Sequence, residues 1–102
     1  GLQIDGAVAD VMSPYPIDEK MKAFGFNVIC INGNDLDEID AAFTAARECK
    51  GKPSAIVMKT TKGKGVSYME NKAGWHGKAP NDEEYEIAMS ELKAQLAELE
   101  AE

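Results

Sequence analysis

Apolar positions along the chain change their period several times, and each change marks an element. Ile17, Met21 and Phe24 recur at i, i+4 and i+7 behind Pro16, which predicts a short amphipathic helix with proline at its start and Gly25 at its end. Phe26 then stands where an apolar side chain folds back on a glycine-capped helix. Residues 26–31, Phe-Asn-Val-Ile-Cys-Ile, read as a buried strand, and residues 54–59, Ser-Ala-Ile-Val-Met-Lys, as a second run without alternation. Between them, Asn32, Gly33, Asn34 and Asp35 form a turn cluster in which Asn34 is placed to cap a helix. Its first turn carries Asp35, Asp37 and Glu38, and Leu36, Ile39, Phe43 and Ala46 mark its inward face. Lys50, Gly51 and Pro53 close that helix. Strand, helix and strand at this length predict a right-handed parallel βαβ unit with strands buried on both faces, hence the α/β class.

The pattern then lapses. Residues 68–80 show no period and predict an ordered loop rather than an element. Asn81 and Glu84 make a capping-box start to a last helix, along which Tyr85, Met89, Leu92, Leu96 and Leu99 recur at spacings of four and three. This stripe is long enough to pack on a sheet or a sister domain and short for a coiled coil.

Length and charge refine the picture. A chain of 102 residues allows one domain with one core. Its net charge of −7 is segregated: residues 82–102 hold eight acidic side chains against Lys93, whereas residues 1–81 balance. Within the balanced part, Lys50, Lys52, Lys59, Lys62, Lys64, Lys72 and Lys78 face only Glu70 over residues 50–78. A local basic patch among glycines suits a small phosphorylated ligand and not nucleic acid, which asks for a broader basic face. No run approaches the roughly 18 apolar residues of a membrane span, so a soluble protein is expected. Cys30 and Cys49 lack metal-site or redox-pair spacing and read as buried free thiols suited to a reducing cytoplasm. Gly1 is not an initiator methionine, and Leu2, Gln3 and Ile4 read as a strand or loop already under way, so the gene product is expected to begin upstream.

Candidate chemistry gathers after the second strand. Thr60-Thr61-Lys62-Gly63-Lys64-Gly65-Val66-Ser67 follows the carboxyl end of a parallel strand, where open α/β sheets bind ligands. Gly63 and Gly65 permit close approach of the backbone to a phosphate, and Lys62 and Lys64 neutralise it. The segment is neither a Walker loop nor a dinucleotide fingerprint. His76 is the one histidine of the chain, flanked by Trp75 and Gly77, and finds no metal or triad partners in the sequence. The carboxylates at Asp35, Asp37, Glu38 and Asp40 crowd a helix start and are explained by capping and solvation.

The order of these residues resembles the amino-terminal, thiamine diphosphate-binding section of transketolases, especially bacterial enzymes encoded as two chains. The resemblance runs end to end through Gly1-Leu2-Gln3-Ile4-Asp5-Gly6, Ala23 to Ile29 with Gly33 and Asp35, Lys52-Pro53, Lys59 to Ser67, and Trp75-His76-Gly77-Lys78-Ala79-Pro80. It implies that residues 1–102 form the C-terminal half of that domain, a partial three-layer α/β thiamine diphosphate-binding fold with parallel strands and a crossover helix. The implied activity is transfer of a two-carbon ketol unit between sugar phosphates, as in the pentose phosphate pathway. The implied cofactors are thiamine diphosphate and magnesium, or calcium in its place. Carried over by position, the backbone carbonyl of Leu2 becomes a metal ligand and Ile4 packs near the thiazolium. Lys62 faces the cofactor from a loop shaped by Gly63 and Gly65, and His76 reaches the diphosphate and substrate oxygens as the catalytic residue. Asn34 stands where the family more usually has histidine.

The Gly-Asp-Gly start of the family's cofactor motif, its metal-binding aspartate and its closing asparagine are expected before Gly1. The stretch alone is therefore expected to be inactive. Implied partners are the remainder of the amino-terminal section and a pyrimidine-binding section or subunit, in a homo- or hetero-oligomer with no nucleic acid or membrane. The alternatives are a noncatalytic α/β interaction module derived from such a domain and a related ketol-transferring enzyme.

Overall fold

The structure, a computed structural model, describes residues 1–101. In place of the single core expected from length, the described residues form two compact units, one of Gly1 with residues 8–60 and one of residues 2–7 with residues 61–101.

The first unit begins with a short helix, α1 (Val8–Met12), which has no counterpart in the apolar pattern. Helix α2 (Ile17–Ala23) follows Pro16 as expected, and Phe24 is its C-cap rather than part of its inner face. Gly25 adopts φ +87°. The amide of Gly25 donates to Lys22 O at 2.9 Å, and that of Phe26 to Met21 O at 3.2 Å. This pair of bonds is a Schellman closure, which needs the left-handed residue that glycine supplies. Strands β3 (Asn27–Asn32) and β4 (Ser54–Lys59) pair in parallel, from Asn27 opposite Ser54 to Asn32 opposite Lys59. Helix α3 (Leu36–Glu48) is the crossover between them.

Three expectations for this unit are corrected. Asp35, not Asn34, is the N-cap of α3, its Oδ1 accepting from Asp37 N at 3.0 Å and Glu38 N at 3.1 Å. Asn and Asp cap helices about equally well, and it is the turn that sets Asp35 where its carboxylate reaches the exposed amides. Asn34 lies in the preceding turn, where its amide donates to Asn32 Oδ1 at 3.1 Å. The inward face of α3 centres on Ala42, 3% exposed, with Ile39 and Ala46 half-buried, while Leu36 is 81% exposed and Phe43 is also exposed. No strand residue is fully buried, in contrast to the burial on both faces expected, because the two-stranded sheet has no central strand and is covered chiefly by α2 and α3. Cys30 is accordingly exposed and Cys49 half-buried, both free thiols.

The second unit opens with a two-residue hairpin, β1 (Leu2–Gln3) against β2 (Gly6–Ala7), turning through Ile4 and Asp5. A looped stretch then runs from Thr61 to a 3-10 helix at Ala73–His76, which lies within the segment read as aperiodic. Helix α4 (Asp82–Glu100) starts with the full capping box: Asn81 Oδ1 accepts from Glu84 N at 2.8 Å and Glu84 Oε2 from Asn81 N at 2.9 Å. Its apolar stripe is not its inner face. Ala88 is 8% exposed and Met89 half-buried, but Tyr85, Leu92, Leu96 and Leu99 are exposed, Leu99 at 68%. The face carrying Glu84, Ala88, Glu91 and Gln95, at i, i+4, i+7 and i+11, holds the loop instead.

Candidate functional site

Residues 61–72 fold into successive tight turns. Lys64 N donates to Thr61 O and Val66 N to Gly63 O, each at 3.3 Å, and Met69 N donates to Val66 O at 2.9 Å. Asn71 N then reaches back to Lys62 O at 2.9 Å, which closes the loop on its own beginning. Gly63 is demanded twice. Its φ is +71°, and a Cβ there would stand 2.6 Å from the carbonyl oxygen of Met69.

The side chains of Lys62 and His76 meet, with Lys62 Nζ 3.4 Å from His76 Nδ1. An ammonium only donates, so Nδ1 is the acceptor and the ring proton sits on Nε2. Lys62 is half-buried and His76 exposed, so the pair presents a positive charge beside an outward N–H donor. That is the chemistry of a site for an anionic oxygen.

His76 is placed by its neighbours. Trp75 Nε1 donates to Tyr68 O at 3.0 Å, and the two rings stand tilted with centroids 5.0 Å apart. The Lys78 ammonium lies 4.1 Å from the centroid of the Trp75 ring and 2.7 Å from Glu84 Oε1. Tyr68 Oη donates to Glu84 O at 2.7 Å. Partial burial, reinforced by the charges of Glu84 and Glu91 against that of Lys78, raises the Tyr68 phenol above its ordinary value of 10.0. The bond from Lys78, with one from the Asn81 amide, holds Glu84 below the ordinary carboxylate value of 4.5.

The lysine loop is tied down as firmly. Gly65 N donates to Glu70 Oε1 at 3.0 Å, and this bond, helped by Lys64 at 3.5 Å, lowers the pKa of Glu70. Ser67 donates to Glu91 twice, from Oγ to Oε1 and from N to Oε2, the latter at 2.8 Å. The hydroxyl bond first and the amide bond second depress the pKa of Glu91. Gln95 Nε2 donates to Gly65 O at 2.9 Å.

Lys62, Gly63 and His76 are thus brought together within one unit. Leu2 lies half-buried on β1, which packs beside the 3-10 turn that carries His76. Ile4 is exposed in the hairpin turn, and no described hydrogen bond ties it to Lys62 or His76. Among the described residues, no three His, Cys, Asp or Glu side chains converge on a point that could hold a metal ion. Glu70, Glu91 and Gln95 join the site only in the fold, since nothing in their residue types marks them as functional. The one signal for them in the sequence is the helical spacing of Glu84, Glu91 and Gln95, a polar stripe beside a more conspicuous apolar one.

Comparison with known proteins adds a family. Residues 1–98 match the family model described as transketolase, thiamine diphosphate binding domain. An apulose-4-phosphate transketolase subunit of Phocaeicola vulgatus is 40% identical over 101 residues, covering 99% of this chain and 36% of that protein. The 6-deoxy-6-sulfo-D-fructose transketolase subunit SqwG of a Clostridium species is 38% identical, covering 94% of this chain and 35% of its own length. Human transketolase-like protein 2 is 36% identical over 75 residues, which cover 74% of this chain and 12% of that protein. The chain spans about a third of the length of the two bacterial relatives.

Proposed function

The chain belongs to the family of transketolase thiamine diphosphate binding domains, and from that premise we propose that residues 1–102 form one part of a cofactor wall. The parent assembly transfers a two-carbon ketol unit between sugar phosphates. The observation that carries this reading is the meeting of Lys62 with His76 at 3.4 Å beside a loop whose Gly63 admits no side chain.

Thiamine diphosphate supplies, when bound, the stabilisation of a carbanion at the ketol donor. The residues present fit its anionic end: Lys62 would neutralise a phosphate oxygen, and His76, with Nδ1 towards Lys62, would donate from Nε2 to an oxygen of diphosphate or substrate. A donor aimed at an oxygen that gains negative charge binds the transition state better than the ground state. For a metal, the fit is limited to a single carbonyl, that of Leu2. Magnesium takes about six oxygens, so its remaining ligands would have to come from elsewhere in the assembly and from the cofactor.

The two bacterial relatives are named for a sugar phosphate and a sulfonated sugar. A shared anionic group on a small sugar agrees with the basic pair here, and the proposed substrates are sugar phosphates. Both relatives are named as subunits, in keeping with an assembly that joins this stretch to the rest of its section and to a pyrimidine-binding section or subunit, whether homo- or hetero-oligomeric. The free thiols Cys30 and Cys49 suit a reducing cytoplasm.

The test is ketol transfer from a sugar phosphate donor by the intact assembly, with and without thiamine diphosphate and magnesium. Turnover that requires both, and that falls in His76→Ala with a raised KM for the donor and an unchanged circular dichroism spectrum, supports the proposal. Turnover indifferent to the cofactor, or to His76, refutes it.

A further inference from the structure

Both arms of the site hang from one helix. Along α4, Glu84 takes the Tyr68 hydroxyl on its backbone carbonyl and the Lys78 ammonium on its carboxylate, which fixes the arm that carries His76. Two and three turns further on, Glu91 holds both donors of Ser67 and Gln95 holds Gly65 O, which fixes the arm that carries Lys62. Gly65 is clamped on both sides, since its amide goes to Glu70 while its carbonyl goes to Gln95. The bonds Val66 N to Gly63 O and Asn71 N to Lys62 O then transmit that position to the lysine.

Resting on the cofactor reading above, we infer that Glu91 and Gln95 are positioning residues that set where Lys62 presents its ammonium beside His76. A helix interior is the stiffest support this unit offers, with a fixed rise of about 1.5 Å per residue between anchor points. The glycine-rich loop, with Gly63 at φ +71° and Gly65 at φ +98°, has the backbone freedom to adopt other shapes once released. Glu91 and Gln95 spend their polar atoms on the loop rather than on the cofactor. Their effect travels through Ser67 and Gly65, so it appears in cofactor capture and not in the chemical step.

The experiment uses the intact assembly carrying Glu91→Ala, Glu91→Gln, Gln95→Ala and Lys62→Ala, alone and combined. The KM for thiamine diphosphate, kcat at saturating cofactor, and amide hydrogen exchange over residues 62–67 are measured. Loss of a hydrogen-bonded anchor is worth about 1 kcal/mol, roughly fivefold. Glu91→Ala and Gln95→Ala should therefore each raise that KM by about fivefold and speed exchange in the loop, with kcat within about twofold of wild type. Glu91→Gln, which keeps one acceptor oxygen, should fall between Glu91→Ala and wild type. On the Lys62→Ala background both effects on KM should vanish, which a merely structural role would not produce. An unchanged KM in Gln95→Ala and Glu91→Gln, or effects that simply add to that of Lys62→Ala, overturns the positioning role while leaving the function standing. A KM indifferent to Lys62→Ala as well removes the cofactor reading and this inference with it.

Discussion

At the scale of single residues, the site is an arrangement of donors whose geometry leaves little freedom. The Lys62 ammonium stands 3.4 Å from His76 Nδ1, an arrangement that gains most when an anion lies beside the pair. Removing the ammonium takes away a charge-assisted contact worth about 1.5–3 kcal/mol. Lys62→Ala should therefore weaken thiamine diphosphate binding by the intact assembly about 10- to 100-fold in calorimetric titration, and an unchanged dissociation constant would end that assignment. Gly63 is a steric demand: its left-handed φ of +71° alone costs a β-carbon about 1–2 kcal/mol, before the contact with Met69. Gly63→Ala should lower the thermal midpoint of the assembly and speed amide exchange around residues 62–71. The sequence marks Lys62 and Gly63 because lysines and glycines alternate at the carboxyl end of a strand, and His76 because the one histidine of the chain stands in an aperiodic segment. Glu91 and Gln95 carry only a helical spacing shared with Glu84, and their importance arises when the loop folds against them.

At the scale of elements, capping and electrostatics account for how α4 is built and how it responds to pH. Asn81→Ala removes one half of the capping box and should cost about 1 kcal/mol of stability by denaturant titration. Glu70, Glu84 and Glu91 all have native pKa values below the ordinary 4.5, each through hydrogen bonds that favour the carboxylate. The unfolded chain consequently takes up protons first as pH falls. The stabilisation from these groups is in full force above 4.5 and is lost as pH drops through their lowered values. For Glu91, the neighbouring charge of Glu70 opposes the depression, and the Ser67 bonds outweigh it. Thermal unfolding followed between about pH 6 and pH 3 should show a falling midpoint whose slope is reduced in Glu91→Gln. Tyr68 acts at the other end, its raised pKa giving a contribution lost only as pH rises past 10.0. Strands β3 and β4 and helices α2, α3 and α4 are legible because each is long enough to show a period or a cap. The hairpin β1–β2 and helix α1 are not, since elements of two to five residues carry no period. Asp35 escapes as a cap because Asn34 and Asp35 are both good candidates in sequence, and only the folded turn decides between them.

At the scale of the molecule, the pattern of apolar residues overstates how much of this chain is interior. Ala42 and Ala88 are the buried apolar residues among those described, while Leu36, Phe24, Leu96 and Leu99 lie exposed. Apolar spacing reports which residues would be buried given a neighbour, and it does not reveal whether that neighbour belongs to the same stretch of chain. The proposed metal contact has the same character, since the one carbonyl of Leu2 would not by itself satisfy a hard cation. Residues 1–102 alone should accordingly show no saturable binding of thiamine diphosphate at submillimolar concentration, and clear saturation would place the cofactor's main ligands within this stretch. The central claim, that Lys62 and His76 act on one bound anion, is tested most directly by a double-mutant cycle for thiamine diphosphate affinity in the intact assembly with Lys62→Ala, His76→Ala and the pair. Strong non-additivity is expected, the second substitution costing much less once the first is present; strictly additive losses would contradict the claim.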